Sequence, residues 1–341
     1  MKKLLFISLL AMLATVIAAC SSSENLTGDG EQSASASEYP DKPITFTVPS
    51  GAGGGIDTMA RVLSNVLSKE ELLKTAATVE NKPGGGQVVG IVDFANMNKN
   101  NDYRILATST PFILNYIKKD GNSPVSFRDV EPIARLVTEY DVLAVPVDSK
   151  YDTLETLFAD LKDNPSSISF SGGSGPGSFD HLNAIYPASK AGVDINKLKY
   201  ISYDGGGEAL TALLGGNADV ISSDVSSVYE YVKAGKVKIL GISSSERLEG
   251  EFADIPTYKE QGIDAELTNW RGIYGPKGMS KEAKAFWEAT IAELVKTEGW
   301  TTEIEKHGWQ DGYVASDEFT KLMEEEEAMY TEIYEDLGMA K

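Results

Sequence analysis

Two glycine-rich stretches, each set between a short β-branched run and a helical pattern, constrain this chain more than any other feature. The first is VPSGAGGGID, Val48–Asp57, which follows the apolar run ITFTVP. The second is SGGSGPGS, Ser171–Ser178, which follows SISF. A glycine-rich turn from strand to helix presents backbone N–H groups at a helix N-terminus, and these can face an anion. In open α/β sheets ligands bind beyond the carboxyl ends of the strands. One such loop in each half of the chain therefore predicts two α/β lobes facing a cleft.

The rest of the chain fits that frame. Strand-like runs are expected at ATVEN, YRILATS, LKYISY, ADVISSD and KVKILGIS, and an extended tract over Glu131–Pro146. Apolar residues at Met59, Val62, Leu63, Val66 and Leu67 have helical spacing, with Asp57 placed to cap that helix. Further helices are expected at Val88–Met97, Thr153–Asn164, GEALTALLGG and VSSVYEYVKAG. Two longer ones close the chain, from Ser280 and from about Ser316. Alternation of this kind predicts mainly parallel sheets.

Nucleotide chemistry is disfavoured. No Lys-Ser or Lys-Thr follows the first loop, as a phosphate-binding P-loop requires, and Ile56 stands at the third position of a dinucleotide fingerprint. The net charge of −20 argues against nucleic acid as a partner. Catalysis has little support: there are two histidines, His181 and His307, one cysteine, and no nucleophile elbow or zinc motif. The chain is expected not to be an enzyme and to need no cofactor or metal. The run Glu324–Glu327 lacks calcium-loop spacing and is expected to be a solvated helix face. His181 is expected to be a structural hydrogen-bonding group at a helix start. For Asp57, capping and ligand contact both stand, and for Trp270, core packing and a ligand wall both stand.

The N-terminus carries an address. Lys2 and Lys3 precede the apolar stretch Leu4–Ala19, which is short of the ~20 residues of a spanning helix and ends at IAAC. This is the pattern of a bacterial lipoprotein signal, cleaved before Cys20 and lipidated on its thiol. Residues 20–38 are rich in Ser, Gly and acidic residues and are expected to form a flexible tether.

Five blocks in order resemble one family. They are YPDKPITFTVPSGAGGGIDTMAR, VENKPGGGQVVG, ALLGGNADV, YVKAGKVKILGIS with DIPTYKEQGID, and NWRGIYGP. Together they are similar to the extracytoplasmic solute-binding proteins of tripartite tricarboxylate transporters, the Bug or TctC-like family. The resemblance covers Tyr39 to about Gly338. It implies an α/β, two-lobed periplasmic-binding-protein-like fold of type II, with lobe 1 over residues 39–142 and 263–341 and lobe 2 over 143–262. It implies capture of a small organic anion, a mono- to tricarboxylate, and its delivery to membrane permease subunits. The alternative is a surface lipoprotein that presents the solute to a signalling partner. A monomer, held at the outer face of the membrane through Cys20, is expected.

Carried over by this resemblance, the ligand site comprises Ser50, Gly51, Ala52, Gly53, Gly54, Gly55, Asp57 and Thr58 of the first loop, and Thr108, Ser109 and Thr110 after another strand. From the second lobe it takes Ser171, Gly172, Gly173, Ser174, Gly175, Gly177 and Ser178, then Asp204, Gly205 and Asp224; His181, just after the second loop, and Trp270, in NWRGIYGP, join the candidate ligand-binding residues from their place in the sequence. Ser50 stands where the family usually has Phe, and Ile56 where it commonly has a small polar residue.

Overall fold

The computed structural model describes residues 39–341. The expected signal peptide, Cys20 and the tether lie outside the described residues. In chain order the first elements are β1 (Ile44–Val48), α1 (Gly55–Lys69), β2 (Ala77–Asn81), α2 (Val88–Met97), β3 (Arg104–Ser109), α3 (Pro111–Ile117) and β4 (Val130–Glu139). A single residue, Tyr140, separates β4 from β5 (Asp141–Pro146). There follow α4 (Leu154–Asp163), β6 (Ser169–Gly172), α5 (Phe179–Lys190), β7 (Lys199–Ser202), α6 (Gly206–Leu214), β8 (Val220–Asp224), α7 (Val225–Lys233) and β9 (Val237–Ile242). The chain closes with β10 (Asn269–Pro276), α8 (Lys281–Leu294), α9 (Glu298–His307), β11 (Gln310–Ala315) and α10 (Ser316–Asp336).

These strands form two sheets, in the orders β11-β4-β10-β3-β1-β2 and β7-β6-β8-β5-β9. The tract expected to be one extended run is therefore two strands in different sheets. The expectation of mainly parallel sheets also needs correction. β1 pairs parallel with β2 and β3, and β6 parallel with β7 and β8, but β4, β5, β10 and β11 pair antiparallel. The physical reason is the double crossing. The chain leaves the first sheet along β4, enters the second along β5, and returns along β10, so these strands run against their neighbours.

The central strands of each sheet are buried on both faces. In β5, Val142 and Ala144 pack towards α6 and α7, while Leu143 and Val145 pack towards α4 and α5. This two-sided burial explains why β5 reads as a continuous apolar run. In the first sheet, Ile105 and Ala107 share a core with α1, α8 and α9, and Leu106 shares another with α2, α3 and α10. The stripe predicted for α1 is buried as expected: Met59, Leu63 and Leu67 are fully enclosed. Each such side chain contributes about 1.5–3 kcal/mol of burial. α9 and β11 were not anticipated. Of α9 only Trp300 is buried, so no apolar stripe announces the helix.

The helices that flank the two sheets also touch. Phe179 of α5 packs edge-on to Tyr330 of α10, and the Tyr334 hydroxyl donates to the Gly177 carbonyl at 3.1 Å. Glu326 corrects the reading of Glu324–Glu327 as a solvated face. It is half-buried and accepts from the Trp270 indole N–H at 2.5 Å, and burial pushes its pKa up to about 7 despite that bond and the charge of Arg135.

Candidate functional site

The first loop is held in shape by a carboxylate. Asp57 lies in the first turn of α1, three residues past the cap residue Gly54 and not at the cap position expected for it. Its Oδ2 accepts from the Gly53 N–H at 3.0 Å and from Arg61 Nε at 2.9 Å, and its Oδ1 accepts from Asn81 Nδ2 at 2.9 Å. Asn81 Nδ2 also donates to the Ser50 carbonyl at 3.0 Å. Burial alone would raise the Asp57 pKa, but the bonds from Arg61, Gly53 and Asn81 outweigh it and hold the carboxyl below its usual value. The Asp57 side chain thus braces the loop against α1 and β2.

The first loop meets the second half of the chain directly. The Gly51 N–H donates to the Asp204 carbonyl at 2.9 Å, joining the turn after β1 to the turn after β7. Behind this contact lies a cavity of ≈ 50 Å³ lined from both halves. Of the residues expected at the site, Ser50, Gly54, Gly55 and Ser109 line it from the first half, and Gly173, Ser174, Gly205 and Asp224 from the second. Gly175 and Asp204 instead border a wider, more open groove beside it.

The remaining expected residues stand back from the cavity. Ala52 and Gly53 are exposed, and Thr58 is half-buried in α1. The Thr108 hydroxyl donates to Gln87 Oε1, and Thr110 Oγ1 accepts from the Trp270 N–H. Ser171 donates to the carbonyls of Ala209 and Val220. Gly172 packs on Tyr200, and the Ser178 hydroxyl is buried beneath α5. His181 Nδ1 accepts from the Gly177 N–H at 3.1 Å, and burial pushes its pKa down to about 4. This neutral, buried imidazole matches the structural role expected for it. Trp270 is fully enclosed between Tyr274 and Phe319, which resolves the open choice in favour of core.

Five cavity residues with polar side chains were not singled out from sequence: Gln87, Asp180, Ser223, Asn269 and Arg271. Arg271 matters most. It comes from the middle of β10, is 1 % exposed, and lies against Gly55 so closely that a Cβ there would overlap the guanidinium. Its Nη2 pairs with Glu139 and, at 3.2 Å, with Asp224 Oδ2. Asp224 is fixed in turn as the cap of α7, accepting from the Ser227 N–H at 2.8 Å. The Arg271–Asp224 pair thus ties the first sheet to the second. Nε and Nη1 of Arg271 have no partner among the described residues.

Four carboxylates surround this one cation. Burial pushes Glu139 up to about 8 against the pull of Arg271. Burial, then the charge of Asp224, pushes Asp180 up to about 7. Burial, then the charges of Asp180 and Asp224, raises Asp141 well above the usual carboxylate range, and neither of its oxygens has a partner among the described residues. The environment of Arg271 is therefore more acidic than one guanidinium can neutralise, and protonation relieves the excess.

The comparisons with known proteins point one way. Residues 59–339 match the model of the tripartite tricarboxylate transporter family receptor. A UPF0065 protein encoded in the gbd 5′ region of Cupriavidus necator is 29 % identical over 311 residues, covering 90 % of this chain and 91 % of its own. The structure of the periplasmic binding protein BugD superposes with a TM-score of 0.81 at 24 % identity, covering 89 % of this chain and all (100 %) of its own. MatC from Rhodopseudomonas palustris, solved with bound malate, superposes with a TM-score of 0.78 at 20 % identity, covering 86 % and 99 %. These two superpositions establish the two-lobed periplasmic-binding-protein-like fold.

Proposed function

The chain belongs to the tripartite tricarboxylate transporter receptor family, and from that premise we propose that it captures a small carboxylate between its two glycine-rich loops. As a receptor it is an extracytoplasmic solute-binding protein and not an enzyme. MatC, which shares the fold, carries malate, and a carboxylate suits a site of loop N–H groups and one guanidinium. The observation that carries the reading is the bond from Gly51 to Asp204, which closes the two halves over a cavity containing unpartnered N–H groups of Arg271.

In this reading the lobes are residues 39–142 with 263–341, and residues 143–262. They hinge where β4 passes into β5 and where the chain returns to β10. Ligand bridges the lobes and selects the closed arrangement. The protein acts as a monomer, anchored by lipid on Cys20, and hands its solute to permease subunits. The lipobox-like IAAC and the acidic tether support the anchor.

The test is a thermal-shift screen against mono-, di- and tricarboxylates. A ligand that binds only the native state raises the melting temperature through RT ln(1 + [L]/Kd). A saturable rise with at least one carboxylate is expected; no rise with any of them contradicts the proposal.

A further inference from the structure

Gln87 differs from the other cavity residues in its backbone. Among the described residues, three that are not glycine hold a positive φ: Glu71, Gln87 and Asn100. Glu71 and Asn100 are exposed; Gln87, at φ 85° and ψ −16°, is buried. It ends a run of positive φ that begins with Gly84, Gly85 and Gly86. A side chain in this region strains the backbone, and glycine would hold the same turn without that strain. Strain of this kind persists where the surroundings enforce it, and it gathers at functional sites.

Local structure does not account for the side chain. Gln87 occupies the cap position of α2 but makes no side-chain cap bond. It lines the cavity shared by both halves instead. The Thr108 hydroxyl donates to its Oε1 at 3.1 Å and so fixes the amide, while no hydrogen bond engages its Nε2 among the described residues. Thr108 lies opposite Gly272, the residue after Arg271, so the amide is anchored one residue from the strand position of the guanidinium.

The neutrality of the amide also matters. Glu139 and Asp224 pair with Arg271, and Asp180 lines the same cavity. A second cation would be drawn into ion pairs with these acids. A neutral amide is drawn to them less strongly and keeps its N–H bonds open to a bound oxygen.

We propose that Gln87 is a ligand-contacting residue whose amide N–H groups donate to a carboxylate oxygen of the molecule held in the cavity. The inference rests on the carboxylate-capture reading above and deepens it, adding a neutral side-chain donor to the loop N–H groups and Arg271.

The test is isothermal titration calorimetry on the full chain at neutral pH with propionate, succinate, malate and citrate, beside thermal melts without ligand. Gln87→Gly removes the donor and relieves the backbone, so affinity for the acids that bind wild type is expected to fall about 10- to 100-fold, the scale of one hydrogen bond to a charged group. The ligand-free melting temperature is expected to hold or rise. Gln87→Glu keeps the length and the acceptor for Thr108 but replaces the donor with an anion, and is expected to lose at least as much affinity; it decides the matter should the glycine variant fold poorly. Retained affinity in either folded variant overturns the assignment and leaves carboxylate capture intact. Affinity losses matched by equal losses of melting temperature in both variants mark Gln87 as structural and overturn it too. Failure of all four acids to bind wild type overturns carboxylate capture, and this inference with it.

Discussion

Gly51→Ala separates closure from folding. Gly51 lies outside the left-handed region, so alanine imposes no backbone strain there. A Cβ on Gly51 would sit 3.0 Å from the Asp204 carbonyl oxygen, which belongs to the other half of the chain. That is tighter than ordinary carbon–oxygen contact, and the neighbour is backbone held by the turn after β7. Relief requires the two loops to part by a few tenths of an ångström, weakening the 2.9 Å bond from the Gly51 N–H. Overpacking of this kind costs about 1–3 kcal/mol. The cost falls on the closed arrangement alone, because in an opened cleft the methyl group faces solvent. Affinity for a bound carboxylate should then drop about 5- to 150-fold, while the melting temperature of the ligand-free protein changes little. Calorimetry and thermal melts on the same samples give both quantities. Unchanged affinity would show that the Gly51–Asp204 contact is not part of the bound state, and the closure reasoning would fail.

Three further outcomes follow from the same structure. Asp57→Asn should lower stability by about 1–3 kcal/mol at neutral pH, the range for losing charge-assisted bonds to a buried group. Its folded pKa lies below the ordinary 3.8, so the contribution is present above that value and is lost as pH falls through the folded pKa; in acid melts the variant and wild type should converge, and a constant gap would refute the assignment. Glu326 runs in the opposite sense: its pKa rises on folding from 4.5 to about 7, so stability should decline as pH rises through that window. Glu326→Gln should flatten that part of the melting-temperature profile, and an unaltered slope would place its cause elsewhere. Cys20→Ala should move the protein from the detergent-rich to the aqueous phase on detergent phase partitioning; retention in the detergent phase would rule out the proposed lipid anchor.

Much of the architecture was legible because it is encoded locally. β-branched runs, the helical stripe of α1 and the glycine-rich turns each lie within about ten residues, and the structure places them where the pattern says. The two loops suggest one site because each ends a strand and starts a helix, and both line one cavity, through Ser50, Gly54 and Gly55 and through Gly173 and Ser174. What stayed hidden depends on residues far apart in the chain. Arg271 sits in the apolar tract NWRGIYGP, and its meaning appears only when β4 and β8 bring Glu139 and Asp224 beside it. A lone arginine inside an otherwise buried strand was the available signal, since such a charge is rarely enclosed without a partner. Asp180 carries no pattern of its own beside His181, though of the two only Asp180 lines the cavity. Trp270 and Glu326 were undecided or misplaced for the same reason: each finds the other across the packing of α10 on the first sheet.

Amide hydrogen exchange with and without a bound carboxylate tests the central claim most directly. If the ligand is held between the two halves, the amides of Gly51–Gly55 and those of Gly173–Ser174 and Gly205–Gly206 should slow together on binding, while the edge strand β2 is unaffected. Protection confined to one half, or absent from both while the ligand still binds, would contradict the two-loop site.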